Sequence, residues 1–430
     1  MAKINGPLMS QEARGQFGKK LTFQKRPSGN VVYGYSKPGD LGPFDPSAIQ
    51  IARRAKYADG VSVWNNLTTQ QKAQYETQAD ILRITAFNYF MKLYLNSQII
   101  FESKIFSWKK ITIDYTKVAE DLVNYPLYID LAHLGTDFFS AVKNGGGDIR
   151  IVADDMVSEK AREVVTCDTT AETGELHTLI ASLSSTENTV IYVLYSNAQT
   201  SEPAADSEFG SEAVWVNYAY VAHMENGNLS KPASTAFSVV GSVAYATGKL
   251  GKGLSLNEKL NGLTLSNVFD DFAAKSWVIQ FWLKHNSVHI SDVYNEQIAL
   301  ITNWTSSPYL AWTMRVGKYN FRYQDVNRDT QCTGNQVTGE FIAMRGQFEG
   351  LRKSKAFINN TLLEEENGAS DKINLTDSDL RIGSVAVYSQ APDLVRIYDE
   401  MRIANTVQSE NYYITETENQ NNPATFYSVD

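Results

Sequence analysis

The 430-residue chain has little cysteine, little histidine and no long apolar run, and each shortage removes a class of protein. Two cysteines far apart, Cys167 and Cys332, cannot make a disulfide scaffold, and no Cys/His spacing matches a zinc module. The expectation is two free, buried thiols. No stretch of 18 apolar residues exists to span a bilayer. Met1-Ala2-Lys3-Ile4-Asn5-Gly6-Pro7 lacks the apolar stretch of a secretory signal. The chain is therefore expected to be made and kept in a cytoplasm or released by lysis. The sequons at Asn303 and Asn374 then have no expected use.

Five histidines, His133, His177, His223, His285 and His289, give little material for general acid–base chemistry. His285 and His289 stand four apart at a strand end with no acidic companion. His223 reads as a buried, hydrogen-bonded histidine and not as a base. A glycosidase on a β-sandwich needs carboxylates grouped on one strand face, and no Glu-x-Asp-x-x-Glu run supplies them. Glu364-Glu365-Glu366 adjoins the turn signal Asn367-Gly368 and reads as solvated. Asp399-Glu400 reads as a structural turn or an ion-pair partner of Arg402. No catalytic residue is assigned and no enzyme is expected.

What the chain does have is aromatic side chains, with 23 Tyr and 7 Trp, favoured in strands and on binding surfaces. It also has a charge asymmetry. Residues 1–95 carry 13 Lys+Arg and 6 Asp+Glu, net +7, while the rest carries net −16. A basic head on an acidic body suits docking of the head on something negative. Arg53, Arg54 and Lys56 form the densest basic group. Contacts to nucleic-acid phosphates need clustered basic residues, and these are few; docking on an acidic protein surface accounts for the charge equally well, and a set of solvated lysines is the plain alternative.

The patterning gives three segments. Phe17–Gln24 and Val31–Tyr35 read as strands around the turn Pro27-Ser28-Gly29-Asn30. From Pro46 to Ser97 the period is helical. Ile49, Ala52, Ala55 and Ala58 start one stripe; Thr68 to Gln71 fits a capping box; Tyr75, Ala79 and Leu82, then Phe87, Phe90 and Tyr94, mark two further faces. Three helices in one bundle are expected. After Phe101 strands dominate: Ile111–Tyr115, Leu127–Leu131, Asp148–Val152, Thr189–Tyr195, Gly262–Leu265, Trp277–Leu283, Tyr319–Tyr323 and Lys355–Ile358. Trp277, Ile279, Phe281 and Leu283 share one face, with Trp282 on the other, which predicts a strand covered on both sides. The expected fold class is mainly β: a small α+β N-terminal domain over residues 1–100 (hairpin plus helical bundle), then two β-sandwich domains over 101–222 and 223–430.

Four resemblances sharpen this. Trp108-Lys109-Lys110-Ile111-Thr112-Ile113-Asp114, Asn124–Ile129, Gly147–Arg150, Thr189–Asn197 and Val221-Ala222-His223-Met224-Glu225 follow the order of a domain of unknown function that commonly precedes laminin-G-like domains. Gly248–Leu256, Trp277–Leu283 and Tyr398-Asp399-Glu400-Met401-Arg402-Ile403 resemble strands of a concanavalin-like, laminin-G-like domain, which implies a two-sheet jelly roll. Asn419–Pro423 with Phe426-Tyr427 resembles the tail that follows this domain pair. Gly6-Pro7-Leu8, Ala13-Arg14-Gly15, Gly18-Lys19-Lys20 and Phe23, with Trp64, Leu67, Lys72, Tyr75 and Ala79, resemble a small domain of phage virion proteins; the helical words also echo HMG-box helices.

The resemblances imply a bacteriophage virion structural protein: a capsid decoration, head-fibre or tail-associated protein, assembled in the host cytoplasm. Its head would anchor to other virion proteins and its sandwiches would project, in many copies or as a homo-oligomer, toward host-surface polysaccharide. Trp304, Tyr309 and Trp312 are the candidate sugar-stacking residues. Asp325 and Asp329 are the candidate ligands if the rim takes calcium; no other cofactor is expected. The alternative is a cellular carbohydrate-binding or adhesion protein.

Overall fold

The structure, a computed structural model, describes residues 15–17, 21–26, 29–34, 47–256, 261–266, 276–286, 296–301, 309–315, 318–325, 328–349, 353–367, 379–383 and 395–430. It is mainly β, with antiparallel sheets throughout. It divides into two compact units, Met1–Asn65 and Asn66–Asp430. No helix among the described residues is long and apolar enough to cross a membrane.

The small unit holds three antiparallel strands, Gly15–Phe17, Leu21–Arg26 and Gly29–Gly34. Arg26 pairs with Gly29, so the hairpin turns where the Pro-Ser-Gly-Asn word predicts. The helix Ala48–Asn66 departs from expectation. Its alanine stripe is exposed, with Ile49 81% exposed, and only Gly60 and Val63 are buried. A 3.6-residue period shows where an apolar face could be covered, not that anything covers it.

The other helices belong to the larger unit. Thr68 caps Thr69–Ala73: its hydroxyl accepts from Gln71 N–H and Gln71 Oε1 accepts from Thr68 N–H at 2.7 Å. Glu76–Leu82 and Ala86–Leu95 follow. Tyr75, Phe90 and Tyr94 stack edge and face, and Tyr94 meets Trp108 at 5.4 Å between ring centroids. These helices therefore pack on the sandwich strand that carries Trp108. The strand Gln98–Phe101 also runs straight into that sheet, as a hairpin with Lys104–Ile113.

The first sandwich sets a six-stranded sheet against a three-stranded one. The larger has Tyr427–Val429, Lys104–Ile113, Thr189–Tyr195, Arg150–Ala153 and Glu159–Lys160 side by side, with Gln98–Phe101 also on Lys104–Ile113. The smaller runs Leu122–Asp130, Thr173–Leu183, Arg162–Asp168. Alternation points Ile111, Ile113, Ile191 and Val193 at Leu127, Ile129, Leu176 and Ile180. Cys167 is a free buried thiol in this region, as expected. The second sandwich sets an eight-stranded sheet, centred on Arg396–Ala404 and Trp277–His285, against a seven-stranded one. Its core includes Trp277, Ile279, Phe281, Leu283, Phe321, Tyr398 and Ile403.

The Trp277 strand is covered on both faces. Val278 belongs to the first sandwich's core, and Trp282 Nε1 donates to Gln420 Oε1 at 2.5 Å. Gln420 lies on the helix Glu410–Asn421, which sits between the sandwiches. Ser409 caps this helix by accepting from Tyr412 N–H. Asn419 locks it to the first sandwich, accepting from Tyr128 N–H at 2.8 Å and donating to Tyr128 O at 3.0 Å. Of the segment read as a tail, Asn419 and Gln420 therefore lie on the helix between the sandwiches, while Phe426 and Tyr427 join the first sandwich.

Candidate functional site at the junction of the sandwiches

The face of the three-stranded sheet turned away from its own core meets the outer face of the eight-stranded sheet, and ionisable groups converge there. Glu175 and His177, two apart on Thr173–Leu183, point to the same face by strand alternation. Glu163 stands opposite His177 in register on the neighbouring strand. His223 follows Tyr220–Ala222, which pairs with Arg396–Ala404. Glu400 and Arg402 come from that closing strand. Pairing slips by one residue between Gln280 and Trp282, and Glu400 has φ 49°, the signature of a bulge that re-aims a side chain.

All these side chains are buried. His223 Nδ1 contacts Glu400 Oε1 and lies 3.2 Å from Glu175 Oε1; its Nε2 lies 3.2 Å from Glu163 Oε2. His177 Nε2 is 2.8 Å from Glu175 Oε1 and 4.0 Å from Glu400 Oε2. The two imidazoles stack at 4.9 Å and 22°. Trp215 Nε1 donates to Glu163 at 2.5 Å, and its ring lies under the Arg402 guanidinium at 4.6 Å. Arg402 is paired with both Glu400 and Glu416. Glu416, on the junction helix, also accepts from Tyr218 OH at 2.9 Å and Gln280 Nε2 at 2.6 Å.

The environment separates the two histidines. Burial opposes charge on His223, but the Glu400 and Glu163 carboxylates more than reverse this and hold its pKa well above the usual range. Burial drives His177 well below it. Burial and the Glu400 charge push Glu175 up to about 8. Burial also works on Glu400, yet His223 and Arg402 hold it well below the ordinary carboxylate value.

His223 is thus the buried, hydrogen-bonded histidine that the sequence suggests, and Glu400 is the ion-pair partner of Arg402. Their meeting with Glu163, Glu175 and His177 was not anticipated. Of the other histidines, His285 is buried against the Tyr319 hydroxyl, and His289 lies outside the described residues.

The sequence-assigned sugar and calcium residues lie elsewhere. Trp304 falls outside the described residues. Tyr309 and Trp312 are three apart on the strand Tyr309–Arg315, at positions on opposite faces. Trp312 pairs with Phe321 in register. Asp325 pairs with Arg328, and Asp329 with Gln324, at the end of one hairpin. Arg53 and Arg54 are exposed on the helix Ala48–Asn66, and Lys56 is half-buried, one turn from Arg53.

No family model and no curated protein matches the chain. Among solved structures it is similar to the botulinum neurotoxin serotype D binding domain, with 15% identity and a TM-score of 0.39, over 47% of this chain and 51% of that one. It is also similar to the receptor binding domain of the C/D mosaic serotype, with 13% identity and a TM-score of 0.40, over 47% and 51%. The chain spans about half the length of these structures.

Proposed function

We propose that the chain is a non-catalytic structural protein of a bacteriophage particle, a capsid-decoration, head-fibre or tail-associated component. A small basic unit anchors it, and a two-sandwich body faces outward to meet host-surface polysaccharide. The observation that carries this reading is the division of the chain after Asn65. The smaller unit has ten Lys+Arg against four Asp+Glu, and the larger has 29 against 44. A compact basic unit and a large acidic one suit a division of labour, attachment by the first and display by the second. The densest ionisable cluster described is sealed under both sandwiches, which suits cohesion better than turnover. Weak sugar binding by each body would suffice when many copies are displayed together.

Deleting residues 1–65 tests the anchor. The truncated protein is expected to fold and to be missing from purified particles in a mass-spectrometric inventory; wild-type incorporation would sink the anchor assignment. For the body, the full chain should be multimerised and probed on a bacterial polysaccharide array. The C-terminal sandwich alone is the wrong probe, because Tyr220–Ala222 completes its sheet and the junction helix is locked to Tyr128. Binding to no polysaccharide would remove the glycan role and leave a structural one.

A further inference from the structure

We propose that the junction between the sandwiches is a structural metal site for a divalent cation of the zinc type, held by Glu175, His177, His223 and Glu400. One donor atom from each lies within 4.8 Å of all the others. Zinc holds imidazole and carboxylate donors at about 2.0–2.2 Å, which places neighbouring donors of a tetrahedron roughly 3.3–3.6 Å apart. Three contacts are closer than that spacing, His177 Nε2–Glu175 Oε1 at 2.8 Å, His223 Nδ1–Glu175 Oε1 at 3.2 Å and the direct His223 Nδ1–Glu400 Oε1 contact, and His177 Nε2–Glu400 Oε2 at 4.0 Å is wider, so an ion entering the cluster would part the first three.

Unsatisfied groups point the same way. Glu175 is 1% exposed, yet its Oε2 has no hydrogen-bond partner. A buried acceptor without a donor is costly, and a cation would satisfy it. Gly251 leaves room beside it. With φ 53°, its missing Cβ would stand 3.2 Å from Glu175 Oε2 and 2.2 Å from Glu225 Oε1. Glu163, Glu175 and Glu400 contact the imidazoles and Glu225 adds a further carboxyl nearby, while the cations among them are His223 and the Arg402 guanidinium, which is shared between Glu400 and Glu416. A divalent ion reduces this surplus of negative charge.

The surroundings match those of a ligand shell. With His223 Nδ1 on the metal, its Nε2–H faces Glu163 at 3.2 Å, the carboxylate–histidine arrangement that orients a ligating ring. Trp215 holds Glu163 in turn, and Arg402 holds Glu400. Two imidazoles favour zinc, nickel or copper over calcium and magnesium. Four protein donors in a sealed site describe a structural ion and not a catalytic one. Glu175 and His177 belong to the first sandwich, and Glu400 to the closing strand of the second, so the ion would rivet one to the other.

The test uses the full chain. It is stripped with a chelator, checked by circular dichroism and titrated with Zn²⁺ and, separately, Ca²⁺ by calorimetry; metal content is read by plasma mass spectrometry. The expected result is one Zn²⁺ per chain, no comparable Ca²⁺ binding and a thermal midpoint that rises with zinc. E175Q and H177A should each weaken zinc binding at least about tenfold, as loss of a ligand does. H133A, which alters a histidine outside the cluster, should not. A stripped wild-type chain that takes up no stoichiometric zinc overturns the proposal, as does unchanged affinity in folded E175Q or H177A. If neither variant folds, the wild type decides: a chelator-insensitive midpoint counts against the ion and a lowered one for it.

Discussion

Each sandwich interior is filled by aliphatic and aromatic side chains, whereas the layer between them holds Glu163, Glu175, His177, His223, Glu400, Arg402 and Glu416. The two kinds of burial do different work. Apolar packing is non-directional: it rewards any arrangement that excludes water at the right volume. A buried ion network contributes little net stability over a well-packed apolar layer, but it strongly penalises any docking that leaves a charge unpaired. The cores account for why each sandwich folds. The ionic layer is expected to restrict the orientations in which they can meet.

The sharpest way to break that comparison is at Arg402. R402M leaves Glu400 and Glu416 buried without their cation and is expected to cost about 3–5 kcal/mol in denaturant unfolding. Replacing all three together, as E400Q/R402M/E416Q, should recover at least half of that loss. A core truncation such as W277A should cost a similar ~3–5 kcal/mol with no such rescue from polar-to-neutral changes nearby. Equal costs for the single and the triple replacement would mean that the layer acts by packing and not by pairing. A smaller effect is expected at Asn419. N419A strands the N–H and C=O of Tyr128 and should cost about 1–3 kcal/mol, with greater protease sensitivity of the junction helix than of either sandwich. The smallest belongs outside both regions. T68A removes a helix cap and should cost about 1 kcal/mol, leaving the sandwiches' hydrogen-exchange protection unchanged.

Strand alternation made much of the fold legible. It put Trp282 on the face opposite Trp277, and that face is where the junction lies. The capping box at Thr68 and Gln71 was equally local, and it formed. The junction site was not legible as a site. Alternation places Glu175 with His177, and Glu400 with Arg402, but it cannot say which sheet face meets which. His223 and Glu400 are 177 residues apart in the chain, and only the packing of whole sheets brings them together. The helix Glu410–Asn421 was invisible for another reason. The side chains it buries, Tyr412, Tyr413, Thr415, Glu416, Asn419 and Gln420, are mostly polar, so no apolar period marks it. Ile49 and the alanines after it show the converse, a clear period on a face that is exposed.

The short strand Tyr427–Val429 lies beside Lys104–Ile113, with Tyr427 opposite Ile113, so the first sandwich is closed by the last strand of the second's sequence. On a ribosome adding about 5–20 residues each second, the roughly 300 intervening residues take about 15–60 s to appear. For that interval the Ile111–Ile113 end of the edge lacks its partner, while Gln98–Phe101 already covers Lys104–Ser107, and an unpaired edge can recruit the strand of another chain. The two sandwiches are thus laced together in time as well as in space. Neither can be completed as an independent domain, and a chain broken off after residue 426 would carry an unfinished first sandwich, however well its second half had folded.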